Sequence, residues 1–224
     1  MIPTRSLLLA VLFVACVCAT ETRAAPVPAL FKLSISGTAH AEWDHTGAPV
    51  TTADCVRTIR SEGIRDVRFK SAAPTVIRVA GGRLSTVTVR RLVGTVVLAG
   101  ANTTSDVCGA ERREVIADCA QTTRRFGAAT IAVAGGHGSL TLHAVRNARL
   151  RASTCPREPA DVVRMPAGPI PGPLKVSTAT LANERVVRIR LTASKSRRIR
   201  YGPIEAGTLT HRSAWTLTLE RVAD

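Results

Sequence analysis

The chain has few aromatic side chains, and this scarcity narrows the functions that the sequence allows. Only two Trp, one Tyr and four Phe occur among its 224 residues. Proteins that bind single-stranded nucleic acid stack the bases on aromatic rings, so the sequence argues against a nucleic acid partner. The core must then be built mainly from Val, Leu, Ile and Ala, which together supply most of the apolar side chains.

The sequence also lacks the short motifs that mark common active sites. It has no Walker loop, no HExxH pair, no dinucleotide fingerprint and no GxSxG elbow. Its cysteines form no CxxC pair with histidines nearby, which is the spacing typical of a zinc site. We therefore expect no metal and no cofactor, and we interpret the protein as non-catalytic.

The first 24 residues have the three parts of a secretory signal peptide. Arg5 supplies the positive charge, residues 7–19 form the apolar run, and small residues allow cleavage after Ala19 or after Ala24. The alternatives are a lipoprotein with Cys16 as the lipidated residue, or an uncleaved anchor, although the run is short against the roughly 20 residues that span a bilayer. No later segment is long and apolar enough to span. We expect a secreted, extracellular or cell-envelope protein without a transmembrane segment.

Two of the six cysteines lie in this signal, and four remain in the exported chain: Cys55, Cys108, Cys119 and Cys155. An even number of cysteines in an exported protein predicts disulfides, here two. Because Cys108 and Cys119 are close in sequence and flank a turn-like stretch, we predict that these two pair. Cys55 would then pair with Cys155, although three connectivities are open in principle.

The charge balance is strongly basic and the cations are mostly arginine. The chain has 31 basic and 16 acidic residues, and only four of the basic residues are lysines, namely Lys32, Lys70, Lys175 and Lys195. The arginine skew, together with abundant Ala, Val and Gly, is typical of a high-GC bacterial genome. A surplus of this size would attract polyanions.

One group of cations is dense enough to predict a binding patch. If the residues before and after position 193 form two strands of a hairpin, six cations meet on one surface: Arg188, Arg190, Lys195, Arg197, Arg198 and Arg200. Arginine side chains bind phosphate and carboxylate groups with two parallel hydrogen bonds. The alternative is a solvated basic face that protects a sheet edge.

Residues 31–44 show the clearest periodicity in the chain. Apolar residues and small residues occupy every second position from Phe31 to Trp43, with polar residues between them. This pattern predicts a long half-buried strand, or two strands joined by a bulge at Gly37. Similar alternations recur along the chain, whereas the best helix candidate is residues 112–125. We predict an all-β fold, an antiparallel sandwich-like or barrel-like module with disulfides after the signal peptide.

The prolines divide the exported chain. Residues 156–173 hold six of the twelve prolines and predict a stiff, extended connector. It would separate a disulfide-containing β domain, residues 26–155, from a C-terminal β segment, residues 174–224. That segment is short for independent folding, so we expect it to pack on the first domain or complete its sheets.

The remaining candidate for chemistry is a polar row on the first strand. His40, Glu42 and Asp44 share its outward face, spaced about 7 Å apart by the strand rise. Such a row could serve a hydrolase as an acid–base pair. Three functional hypotheses follow: a non-catalytic module that binds an anionic envelope or extracellular partner, which we favour; a secreted hydrolase acting near this row; and a structural partner domain of an extracellular assembly.

Overall fold

The computed structural model describes residues 28–146, 150–201 and 204–222. The predicted signal peptide, both of its cleavage sites and Cys16 lie outside the described residues. The strands are β1 (Ala29–Thr46), β2 (Val50–Thr52), β3 (Cys55–Ser71), β4 (Thr75–Ala80), β5 (Arg83–Leu84), β6 (Val87–Cys108), β7 (Glu111–Gly136), β8 (Ser139–Arg146), β9 (Leu174–Lys175), β10 (Val186–Tyr201) and β11 (Ile204–Arg221). Two short helices, α1 (Ala160–Arg164) and α2 (Thr178–Asn183), complete the described elements.

The described strands form one antiparallel sheet in the order β10-β11-β1-β3-β6-β7-β8-β9. Strand β2 pairs with β3, and β4 pairs with both β1 and β5. The prediction of an all-β, antiparallel protein with two disulfides is confirmed. No helix among the described residues is long and apolar enough to cross a membrane.

The period of two in residues 31–44 decides which side of the sheet is buried. Strand β1 is continuous through Gly37, and its pairing with β3 and β11 shows no shift there, so the single long strand is confirmed. Phe31, Leu33 and Trp43 are buried, while Lys32 and Glu42 between them are exposed. We call the side that carries Phe31 the inner face and the side that carries Lys32 the outer face.

Three of the few aromatic rings lie over glycines of the neighbouring strand. In each case the ring and the glycine are direct partners in the register: Phe69 with Gly37, Trp43 with Gly63, and Phe126 with Gly94. A Cβ atom added at any of these glycines would collide with the ring. The glycines therefore make room for side chains that the aliphatic core could not otherwise hold, and such pairs help curve a sheet.

Two hydrophobic clusters occupy the inner face. The larger includes Phe31, Phe69 and Trp215, and we call the part of the sheet that the two clusters cover the body of the molecule. The smaller includes Ala41, Trp43, Leu98, Val162, Ile199 and Leu209. The far end of the sheet, residues 50–60 and 101–118, contributes to neither cluster, and we call it the distal end. Val56, Val107, Val115 and Ile116 are all exposed there.

Residues 150–173, which we call the crossing segment, lie against the inner face and include α1. The carbonyl oxygen of Pro169 accepts a hydrogen bond from Trp215 Nε1 at 3.2 Å and another from the Ser213 hydroxyl. The backbone N–H of Arg157 donates to the Ser61 hydroxyl at 2.8 Å. The proline-rich stretch thus satisfies buried polar groups of the sheet. Strand β11, which follows the crossing segment in the sequence, pairs with β1 over most of the length of both strands.

The predicted disulfide pairing is wrong. Cys55 pairs with Cys108, and Cys119 pairs with Cys155. The register of β3 and β6 places Cys55 directly opposite Cys108. Strand β7 reverses direction immediately after Cys108, so Cys119 lies about 26 Å down the strand from the turn, beside the crossing segment that carries Cys155. Closeness in sequence was therefore a poor guide to closeness in space.

The best helix candidate, residues 112–125, whose pattern is ambiguous, belongs instead to the 26-residue strand β7. They pair with β6 from Val107 back to Thr95. The β-branched residues in this stretch favour a strand, and the pairing partner supplies the hydrogen bonds that a helix would have formed internally.

Candidate functional site

The six cations of the predicted patch lie on one strand rather than on a hairpin. Residues 186–201 form β10 without a turn, so Arg188 and Arg200 are separated by about 40 Å along the strand. Arg188, Arg190, Arg198 and Arg200 share the parity of the outer face, whereas Lys195 and Arg197 point to the inner side. The expectation of a single six-cation surface is wrong, because the stretch around Ser194 continues the pairing with β11.

The polar row of β1 is tied to its neighbour β3. His40 Nδ1 lies 2.8 Å from Asp66 Oδ1, and the Asp44 carboxylate accepts two hydrogen bonds from Arg60, at 2.8 and 2.6 Å. The hydrogen bond from Arg60 is the main reason why the pKa of Asp44 is lowered from its ordinary value. These contacts are what cross-strand ion pairs on an exposed face produce.

The contacts that the described residues make with this row do not include a nucleophile or a metal site. Among the described residues no hydroxyl or thiol forms a hydrogen bond with His40, and no group of three His, Cys, Asp or Glu side chains is arranged to hold a metal. A nucleophile within hydrogen-bond reach of its base is the usual signature of a hydrolytic site. The geometry therefore gives the hydrolase hypothesis no support.

A different set of cations meets on the outer face of the body. Arg68 of β3 lies directly opposite Thr38 of β1 and Thr95 of β6, and Thr95 lies opposite Arg125 of β7. With two strand spacings between them, the backbones at Arg68 and Arg125 are about 10 Å apart. Lys70 follows Arg68 on the same face, about 7 Å further along β3.

A break in the register of β6 adds a fourth cation. The pairing of β6 with β7 shifts between Val89 and Leu92, and both of these residues point inward and are buried. One extra residue in the strand lets Arg91 reach the same surface as Arg68 and Lys70. Bulges commonly redirect a side chain in this way next to functional sites.

These four cations surround an open groove of about 900 Å³, which we call the basic groove. Its floor is formed at Gly37, Gly94 and Gly127, where the residues have no side chain. The groove is lined by Ser36, Gly37, Thr38, Arg68, Phe69, Lys70, Arg91, Val93, Gly94, Thr95, Arg125, Phe126 and Gly127. No carboxylate is present in this lining, so its formal charge is wholly positive.

The cations of the basic groove are not neutralised by carboxylates. None of the ion pairs within residues 28–146, 150–201 and 204–222 involves Arg68, Lys70, Arg91 or Arg125. Arg57 of the same strand as Arg68, by contrast, forms a two-point ion pair with Asp106 at 2.7 and 3.0 Å. The groove therefore keeps free guanidinium groups that can each bind an oxyanion bidentately.

Sequence reasoning missed this groove, although part of the signal was visible. The alternation of Val67 and Phe69 with Arg68 and Lys70 already predicts that both cations face outward. Their meeting with Arg125 depends on the register of β3, β6 and β7 across the sheet, and no local pattern encodes it.

Comparison with known proteins shows no family model, no curated protein and no solved structure that matches this chain. The fold and the site define an all-β protein with two disulfides and an unneutralised cationic groove.

Proposed function

We propose that this protein is a secreted, non-catalytic β module of bacterial origin that binds an anionic polymer of the cell envelope or the extracellular space. The observation that carries the proposal is the basic groove, where four cations face solvent without a single carboxylate in the lining. The proposal keeps the predicted class of partner but moves the binding surface from β10 to the outer face of β3, β6 and β7.

The shape of the groove supports an extended ligand. It is open and crosses four strands, β1, β3, β6 and β7. The hydroxyl-bearing Thr95 lies between Arg68 and Arg125, and Ser36 and Thr38 lie on β1 beside the cations of β3. Hydroxyl donors next to arginine forks can bind the remaining oxygens of phosphate, sulfate or carboxylate groups. A repeating polyanion could contact several of the cations at once, whereas a small ion would use only one or two of them.

Export is supported by the predicted signal at residues 1–24 and is compatible with the two disulfides, because disulfides persist in oxidising compartments. The sandwich-like or barrel-like arrangement, the hydrolase and the structural partner domain stay predictions. The hydrolase gains no observation from the geometry around His40.

The test measures retention of the protein on immobilised heparin, and binding to polyphosphate and polyglutamate in solution, across a range of salt concentrations. We expect salt-sensitive binding, because neutralising the polymer's charges releases its counterions. The double variant Arg68→Glu/Lys70→Glu should weaken binding to every polyanion that the protein recognises. It should also flatten the salt dependence by about one unit of slope for each anionic group that the variant no longer neutralises.

The matched control is Arg188→Glu/Arg200→Glu, which changes the net charge by the same amount on the same face but outside the groove. We expect this variant to keep most of the affinity. Equal loss in the two variants would show that net charge alone drives binding and would refute the groove. The order of affinity for sulfate, phosphate and carboxylate polymers identifies the chemistry of the partner.

A further inference from the structure

A second site lies on the inner side of the sheet and does not depend on the basic groove. Where the crossing segment covers β10 and β11, it encloses a cavity of about 300 Å³. This is at the lower end of the volumes of small-molecule sites. The cavity is lined by Asp161, Met165, Pro169, Ile170, Lys195, Arg197, Leu209 and His211.

His211 is the residue that distinguishes this cavity from a packing defect. Its side chain lines the cavity although the residue is only 7% exposed. Within the described parts of the chain neither of its ring nitrogens forms a hydrogen bond with a protein group. Its ring nitrogens are therefore available to a ligand that offers a hydrogen-bond acceptor to the N–H or a donor to the other nitrogen.

The charges around His211 favour the neutral ring. Burial is the main cause that lowers the pKa of His211 to about 4, and the cation of Arg65 adds to the effect. Lys195 and His40 act in the same direction, whereas Asp161 opposes them. At neutral pH the imidazole is uncharged and carries one N–H donor, while Lys195 is its direct cross-strand neighbour on β10.

The charged side chains of the lining, Lys195, Arg197 and Asp161, sum to +1. This net charge favours an anion with a single negative charge. Arg197 is already paired with Asp161 at 2.9 Å, so Lys195 is left as the uncompensated cation of the lining. A monoanion balances it. A dianion such as phosphate would place an excess negative charge beside Asp161.

The rest of the lining is apolar. Met165, Pro169, Ile170 and Leu209 supply the apolar part of the lining. Burying a hydrocarbon chain against them contributes about 0.8 kcal/mol for each methylene group. The lining therefore suits a ligand with one charged end and a short apolar body.

We propose that this cavity binds a short-chain monocarboxylate. The carboxylate pairs with the ammonium group of Lys195 and accepts a hydrogen bond from the His211 ring, and the hydrocarbon chain packs against Met165, Ile170 and Leu209. No covalent step is involved.

The experiment uses the full exported chain and hexanoate as the probe, with calorimetry as the measurement. We expect saturable one-to-one binding. Hexanamide, which has nearly the same shape without the charge, should bind about tenfold more weakly or worse, because it cannot form a charge-assisted hydrogen bond with Lys195. Binding of hexanamide or inorganic phosphate as strong as that of hexanoate would overturn the proposal, as would failure of hexanoate to bind.

Two variants locate the site. Lys195→Met should lower the affinity for hexanoate about tenfold or more, while Lys175→Met, which removes an exposed lysine of β9, should leave it unchanged. Equal affinities in the two variants would contradict the assignment.

A second readout follows the His211 ring by NMR. Saturating hexanoate should raise the pKa of His211 above the value of about 4, because a nearby anion stabilises the protonated ring. An unmoved pKa would place the ligand elsewhere.

Discussion

In the body of the molecule the inner face of the sheet is covered by its own apolar side chains and by the crossing segment, whereas at the distal end the same strands continue beyond the reach of both hydrophobic clusters. The two disulfides join the distal strands to each other and to the crossing segment. Ion pairs such as Arg57 with Asp106 add cross-strand contacts there. One sheet is thus stabilised by burial in one half and by covalent and ionic links in the other.

Breaking an ion pair should give the largest difference in unfolding free energy between the body and the distal end. In the body, Arg65 is 1% exposed and its Nη1 donates to Val162 O at 2.7 Å and to Glu158 at 3.1 Å. Glu158→Gln would leave a buried guanidinium without its counterion and should lower the free energy of unfolding by about 3–5 kcal/mol. Asp106→Asn, which breaks an exposed pair at the distal end, should cause no measurable change in urea denaturation. Similar losses in both variants would remove the contrast.

Truncating an apolar side chain should also lower the free energy of unfolding much more in the body than at the distal end. Phe69 is 4% exposed and its ring centroid lies 4.6 Å from that of Trp215, so Phe69→Ala should cost about 3–5 kcal/mol of unfolding free energy. Ile116 is 69% exposed at the distal end, and Ile116→Ala should stay within about 0.5 kcal/mol of the parent. Chemical denaturation of both variants measures the difference. A large loss for Ile116→Ala would mean that the distal end is covered in solution.

Removing a disulfide should affect each region differently, with a cost of about 2–4 kcal/mol for either bond. Replacing Cys55 and Cys108 with alanine should speed hydrogen exchange of distal amides and leave amides of the body protected. Replacing Cys119 and Cys155 should also loosen the crossing segment and the inner face beneath it. Identical exchange patterns in the two variants would show that the sheet opens only as one unit.

A further effect concerns pH and belongs to the body. The pKa of His211 is about 4 in the folded protein against an ordinary value of 6.5, so as the pH falls below 6.5 the unfolded chain takes up the proton first. The free energy of unfolding should therefore decrease between pH 6.5 and pH 4, by up to about 3 kcal/mol. Denaturation curves across this range test it. His211→Gln should flatten the decrease, and an unchanged slope in that variant would assign the effect to other groups.

The sequence predicts the direction of side chains better than it predicts their neighbours. Alternation in residues 31–44 is a local property, and it identified the buried side of β1 because one face of an antiparallel sheet must be apolar. The same parity places Arg65 with Val67 and His211 with Leu209 on the inner face, so both buried polar residues could have been recognised from the strands around them.

What the sequence could not provide is register between distant strands. Three features depend on which strands lie side by side. They are the pairing of Cys55 with Cys108, the meeting of Arg68 with Arg125, and the position of the crossing segment over β11. Residues 112–125 illustrate the limit: their own pattern is ambiguous, and only the long pairing with β6 makes them a strand.

The adjacency of β1 and β11 has a consequence for how the chain reaches its fold. Phe31 is opposite Arg221, and the N–H of Val222 donates to Leu30 O at 2.9 Å, so one edge of the first strand stays open until the last strand has been synthesised. Contacts this distant in sequence slow folding, because loop closure precedes any gain from pairing. A circular permutant that links Val222 to Pro28 and opens the chain elsewhere would turn this most distant pairing into a hairpin, and it should refold faster than the natural order of strands.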